Sequence, residues 1–209
     1  MPRHILPSLL LLLCLPAAAS GTGLFGYREV PQADVSQFGQ WVSVMERHLL
    51  QDRPETEDCG SPAFNACHLH EWREFLASLR DLPRAEQISA VNRYANRKDY
   101  VLDIDNYGVE DYWAIAREFL ANHGDCEDYA LTKLFSLKWL GWPVERMRLV
   151  ILQDTNLRVP HAVLAVYQDE RILILDNQID QVVDHRSIVH YVPVYSINET
   201  GWWLYSPAG

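Results

Sequence analysis

The run Gly124-Asp125-Cys126-Glu127-Asp128-Tyr129-Ala130-Leu131-Thr132-Lys133-Leu134-Phe135-Ser136-Leu137-Lys138-Trp139-Leu140-Gly141-Trp142-Pro143 decides the fold class. Ala130, Leu134, Leu137 and Leu140 recur at three- and four-residue steps, which predicts a helix over 126–140. Gly141 and Pro143 stop it. Asp125 fits the N-cap, which puts Cys126 at the first helical position. There the unpaired backbone N–H groups and the positive end of the helix dipole favour a thiolate. Cys126 therefore reads either as a nucleophile or as a small buried residue at a helix start.

Upstream of this run the pattern is helical. Val35, Phe38, Val42, Met45 and Leu49 predict a first helix opening at Asp34 or Ser36. Residues 51–66 carry Pro54, Gly60 and Pro62 and read as a loop. Leu69, Trp72, Leu76 and Leu79 mark a second helix, and Ile88, Val91 and Ala95 a third. Trp113, Ala116 and Leu120 mark a fourth that ends near Asn122-His123-Gly124. Downstream the pattern changes. Met147 to Leu152, Ala162 to Tyr167 and Ile172 to Leu175 are β-branched-rich strands, with weaker candidates at Tyr191 to Ile197 and Trp202 to Tyr205. Helices followed by an antiparallel sheet define an α+β fold, with no linker to split it. The seven tryptophans are expected mainly in the core and against the sheet.

Three carboxylates, Asp125, Glu127 and Asp128, surround Cys126 and should raise its thiol pKa. A positive partner must reverse that, either an imidazolium or a bound cation. Oxygen ligands at this density suit Ca²⁺ rather than zinc. The same acids also complement a helix dipole with no ion at all. Asp103-Ile104-Asp105-Asn106-Tyr107-Gly108 resembles the start of an EF-hand loop but fails its pattern. Tyr107 occupies position five, and Ala114 stands at position twelve, where a bidentate Glu is required.

His161 opens one strand and Asp176 ends the next. If the loop between them has an even length, the paired residue numbers add to 339. His161 and Asp176 then share a sheet face as diagonal neighbours, roughly 7–8 Å apart at the backbone. An odd loop would separate them. Each also has a plain structural reading, a satisfied histidine and a turn aspartate. Taken together, Cys126, His161 and Asp176 have the chemistry of nucleophile, general base and orienter.

The amino terminus reads as a secretory signal over residues 1–19. Met1-Pro2-Arg3-His4 is basic, Ile5 to Leu15 is almost wholly apolar, and Pro16-Ala17-Ala18-Ala19 supplies small residues. The apolar run is short of the about 20 residues that span a bilayer. A mature domain over 20–209, soluble and outside the cytoplasm, is expected. Of the four cysteines, Cys14 would leave with the signal. Cys59 and Cys67 either close a disulfide in an oxidising compartment, leaving Cys126 as the odd thiol, or stay as two free thiols. A hydrophobic fraction of 48% with 22% charged residues is that of a globular chain. The net charge of −10 excludes nucleic acid and anionic membrane as main partners.

Gly124 to Tyr129, Leu140-Gly141, His161-Ala162-Val163-Leu164 and Leu175-Asp176-Asn177 resemble the bacterial transglutaminase-like cysteine proteinases, and among them the LapG-type periplasmic enzymes. The resemblance extends roughly from Phe38 to Ile197. It implies a papain-like or transglutaminase-like fold, a helical lobe packed on an antiparallel sheet. It implies catalysis by Cys126, His161 and Asp176, and calcium held by Asp125, Glu127 and Asp128. It further implies a large surface adhesin as substrate, cut in its N-terminal region at a di-alanine site so that biofilm is released. The implied inhibitor is the periplasmic domain of an inner-membrane c-di-GMP receptor. Two alternatives keep the same scaffold: an acyl transferase that makes isopeptide bonds on the same three residues, and a non-catalytic calcium-dependent binding module.

Overall fold

A computed structural model describes residues 23–51 and 66–208. The signal sequence and the cysteine pair Cys59 and Cys67 lie outside the residues, or the side chains, so described. Among the described residues the first strand is the edge strand β1 (Tyr27–Gln32). Six described α-helices follow: α1 (Gly39–Gln51), α2 (Ala66–Leu79), α3 (Arg84–Ala95), α4 (Asp103–Asn106), α5 (Ala116–Asn122) and α6 (Cys126–Trp139). The remaining strands are β2 (Met147–Asp154), β3 (Val159–Gln168), β4 (Arg171–Leu175), β5 (Val183–Asp184), β6 (Tyr191–Asn198) and β7 (Gly201–Pro207). All pair antiparallel in one sheet ordered β1-β7-β6-β2-β3-β4-β5. The fold is therefore α+β, as the change of pattern predicts.

Helix α6 is the centre of the molecule. Glu127 to Leu137 are all buried, so the helix is covered on every side. It packs on β3 and β2 and against α3 and α5. Met147, Leu149, Ala162, Leu164 and Val166 turn one sheet face toward the helices. Val150, Leu152, Val163 and Ala165 turn the other face toward Leu24, Ile188 and Tyr191. Two core indoles donate to buried acceptors, Trp72 Nε1 to Ser136 Oγ at 2.9 Å and Trp142 Nε1 to Gln87 Oε1 at 2.9 Å. Trp41, Trp72, Trp113 and Trp142 are buried, in line with their expected core role.

The structure departs from the sequence reading at three places. Helix α1 starts at Gly39 rather than at Asp34 or Ser36, because Asp34 Oδ1 accepts from the Ser36 N–H at 2.9 Å and turns the chain first. Trp113 lies before α5 rather than within it, since Ile115 is extended and the helix begins at Ala116. Strand β1 was not expected. It is largely exposed and carries Pro31, so it lacks the alternation of a half-buried strand. The β3–β4 register does follow the expected sum. Leu164 pairs with Leu175 and Gln168 with Arg171, which leaves the two-residue turn Asp169-Glu170.

Candidate active site

The N-terminus of α6 and the start of β3 meet at a cleft of about 610 Å³. Cys126 and His161 both line it, with Tyr100, Trp113, Val159 and Tyr195 among the other walls. Backbone contacts hold the turn ahead of Cys126. The Val101 N–H donates to Gly124 O at 2.9 Å, and Tyr100 bridges to Gly124. Gly124 is required by close approach, because a Cβ there would stand 2.1 Å from Asp128 Oδ2. Asp125 takes the N-cap position, as expected.

His161 and Asp176 meet directly, with Nε2 and Oδ1 2.9 Å apart and both residues buried. Asp176 has further support. Oδ2 accepts from the Tyr191 hydroxyl at 2.6 Å, and Oδ1 from the Gln178 N–H at 2.9 Å. Burial opposes its charge, but the bonds and charge of His161, the Tyr191 hydroxyl and the Gln178 N–H outweigh that and hold its carboxyl below the usual value. With Nε2 engaged, Nδ1 is the imidazole nitrogen left to serve the thiol. Tyr191 was placed only as a strand residue by the sequence. Its partnership with Asp176 depends on how β6 and the β4–β5 connection fold back, which no local pattern reveals.

Cys126 sits in an environment hostile to a thiolate. Burial pushes its thiol well up, and the Glu127 and Asp125 carboxylates add to it; the Ala162 N–H pulls the other way. The thiol donates to Glu127 Oε2 at 3.2 Å. The acids themselves are crowded. Burial is the main cause that raises the carboxyls of Asp125, Glu127 and Asp128, and neighbouring carboxylates add to it. Asp103 is raised to about 6, again chiefly by burial.

These acids fall into overlapping groups whose oxygens lie within 4.8 Å of one another: Asp103 with Asp125 and Asp128, and Asp103 with Asp111 and Glu127. Asp103 Oδ1 and Asp125 Oδ1 are buried with no hydrogen-bond partner among the described residues. Buried oxygens left over in a cluster of carboxylates are what an oxygen-coordinated divalent cation satisfies, so the residues present fit calcium. Asp128 is used differently. Oδ1 accepts from the Ala114 N–H at 2.6 Å and Oδ2 from the Asp125 N–H at 3.3 Å, so it braces the loop around the cluster. Asp103 and Asp111 are the members that sequence reasoning missed. In the sequence Asp103 stands only in a failed continuous calcium loop, whereas the cluster is assembled from separate segments.

Residues 59–206 match the family described as bacterial transglutaminase-like cysteine proteinase. Among solved structures, LapG of Legionella pneumophila superposes with a TM-score of 0.61 at 31% identity, covering 66% of this chain and 78% of that one. The calcium-bound form of LapG from Legionella pneumophila gives a TM-score of 0.62 at 28% identity, covering 77% of this chain and 87% of that one. An EGTA-treated form of the same protein matches at 31% identity with a TM-score of 0.61, covering 66% of this chain and 76% of that one. Comparison with curated protein sequences finds no match.

Proposed function

The chain belongs to the bacterial transglutaminase-like cysteine proteinases, and from that premise we propose that it is a calcium-dependent periplasmic cysteine endopeptidase acting through Cys126, His161 and Asp176. The observation that carries the reading is the buried His161–Asp176 pair at 2.9 Å, with His161 lining the same cleft as the Cys126 thiol at the start of α6. In this mechanism His161 Nδ1 takes the Cys126 proton and Sγ attacks the scissile carbonyl. Asp176, held by Tyr191 and the Gln178 N–H, fixes the ring and stabilises the imidazolium. The Cys126 N–H, free at the helix start, donates to the developing oxyanion. The imidazolium then protonates the leaving amine, and the ring activates a water that hydrolyses the thioester.

Asp125, Glu127, Asp103 and Asp111 would hold calcium, with Asp128 bracing them. When bound, the ion supplies positive charge beside carboxylates that otherwise oppose the thiolate. The calcium-bound Legionella relative supports calcium as the ion. The substrate in this reading is the N-terminal region of a large surface adhesin, cut at a di-alanine site to release biofilm. The periplasmic domain of an inner-membrane c-di-GMP receptor is the inhibitor, and residues 1–19 are the export signal. None of the described helices is long and apolar enough to cross a membrane.

The test is incubation of the mature protein with the adhesin's N-terminal fragment, with calcium or with excess EGTA. Cleavage beside paired alanines in calcium alone is expected, and none with Cys126→Ala. Incorporation of a primary amine in place of cleavage would identify the transferase reading. Release that persists with Cys126→Ala would identify the binding module.

A further inference from the structure

Leu24–Gly26 forms one tight turn ahead of β1, on the sheet face that looks away from the helices. Leu24 is wholly buried there, in the cluster that holds Val150, Leu152, Ile188 and Tyr191. Its N–H donates to Glu29 Oε1 at 3.2 Å. The match to the proteinase family begins at residue 59, so this turn lies outside it.

Phe25 has φ 53° and ψ 21°, a left-handed backbone that bulky residues rarely adopt. Its neighbours hold it there. The Phe25 N–H donates to Nδ1 of the buried His185 at 2.9 Å, and the Gly26 N–H donates to Gly23 O at 2.9 Å. The Phe25 ring stands edge-on to the Tyr191 ring, with centroids 5.6 Å apart and planes at 88°, a favoured aromatic geometry. Tyr191 is the first residue of β6 and is buried. Its hydroxyl donates to Asp176 Oδ2 at 2.6 Å, and Asp176 Oδ1 stands 2.9 Å from His161 Nε2. The Tyr191 ring also lies edge-on to the His161 imidazole, 5.7 Å between centroids. A continuous series of contacts therefore runs from the amino-terminal turn to the general base.

We propose that Leu24–Gly26 is a strap of the active site, with Phe25 a positioning residue that holds the Tyr191 hydroxyl on Asp176 and so keeps Asp176 aligned with His161. The inference rests on the assignment of Cys126, His161 and Asp176 as the catalytic residues. Without the Phe25 ring, Tyr191 gains room to rotate, its hydroxyl leaves Oδ2 more often, and the carboxylate holds the imidazole less firmly. His185 is the latch, since the Phe25 N–H has no other acceptor than its Nδ1 among the described residues.

The experiment is a double-mutant cycle on cleavage of the adhesin fragment in saturating calcium. It uses parent, Phe25→Ala, Tyr191→Phe and the double variant. Phe25→Ala is expected to lower kcat about fivefold with KM within about twofold. In the Tyr191→Phe background, where the hydroxyl is already gone, the same substitution should change kcat by less than about twofold. The fall in thermal midpoint should be alike in both backgrounds, because the ring contact survives in Tyr191→Phe. A route through the ring onto His161, or plain destabilisation, would cost the same kcat in both. Equal losses, or no loss, overturn the proposal.

A second measurement needs no turnover. In Cys126→Ala, the low-field NMR signal of the proton between His161 Nε2 and Asp176 is compared with and without His185→Leu, which removes the latch. The signal should broaden or move upfield when the strap is freed. An unchanged signal would contradict the proposal even if Phe25→Ala failed to fold or the adhesin fragment were not the substrate. Cleavage retained by Cys126→Ala would instead refute the catalytic assignment.

Discussion

Asp176 and Asp125 are both buried aspartates beside the same cleft, and their surroundings are opposite. Asp176 has both oxygens engaged by His161, Tyr191 and the Gln178 N–H, and its carboxyl is held below the usual value. Asp125 has an orphaned oxygen, lies among other acids, and is raised. The sheet side of the site is completed by protein groups alone. The helix side carries crowded buried carboxyl groups with orphaned oxygens that a cation can take up. In the proposed mechanism the base and orienter are in place without an ion, and the nucleophile would become competent when the acidic side binds one.

The comparison breaks most severely on the sheet side. His161→Ala removes the base, and hydrolysis should fall by about 10³-fold or more in saturating calcium, with calcium binding by calorimetry unchanged. On the helix side, Asp125→Asn or Glu127→Gln should lower cleavage by roughly 100-fold at limiting calcium, with part of the loss recovered at higher calcium. The same variants should abolish most of the rise in thermal midpoint that calcium gives the parent, since a ligand held only by the native state stabilises it. A midpoint that responds to calcium equally in parent and variants would place the ion elsewhere.

Gly124→Ala probes the packing of the acidic turn without altering a charge. Its methyl would meet Asp128 Oδ2, so a loss of about 1–3 kcal/mol is expected in urea unfolding. The mildest change is Tyr191→Phe, which deletes one bond to Asp176. It should cost about 1 kcal/mol of stability at pH 7 and several-fold in kcat. The sign with pH follows from the lowered carboxyl. Asp176 contributes stability above its ordinary value of 3.8, and that contribution is lost as pH falls through its lower folded value. The stability gap between parent and Tyr191→Phe should therefore close in strong acid.

The two sides also differ in how far the sequence reveals them. The His161–Asp176 pairing was legible because a two-residue hairpin turn imposes a parity that can be counted along the chain. Helix α6 was legible from its spacing and its Gly141 and Pro143 stop. The cysteine's acidic neighbours were legible because they are contiguous with it. Asp103 and Asp111 were not, since they reach the cluster through the chain path between α3 and α5, and a failed EF-hand pattern argues against them locally. Strand β1 escaped because an edge strand paired only with β7 needs no apolar alternation.

The most direct test of calcium completing the nucleophile reads Cys126 itself. The rate of its alkylation by iodoacetamide can be followed by peptide mass spectrometry at pH 7, in calcium and in excess EGTA. The account predicts alkylation at least about tenfold faster with calcium, because burial holds the thiol protonated, the Glu127 and Asp125 carboxylates add to it, and the ion would offset that added part. Equal rates in calcium and EGTA would contradict it.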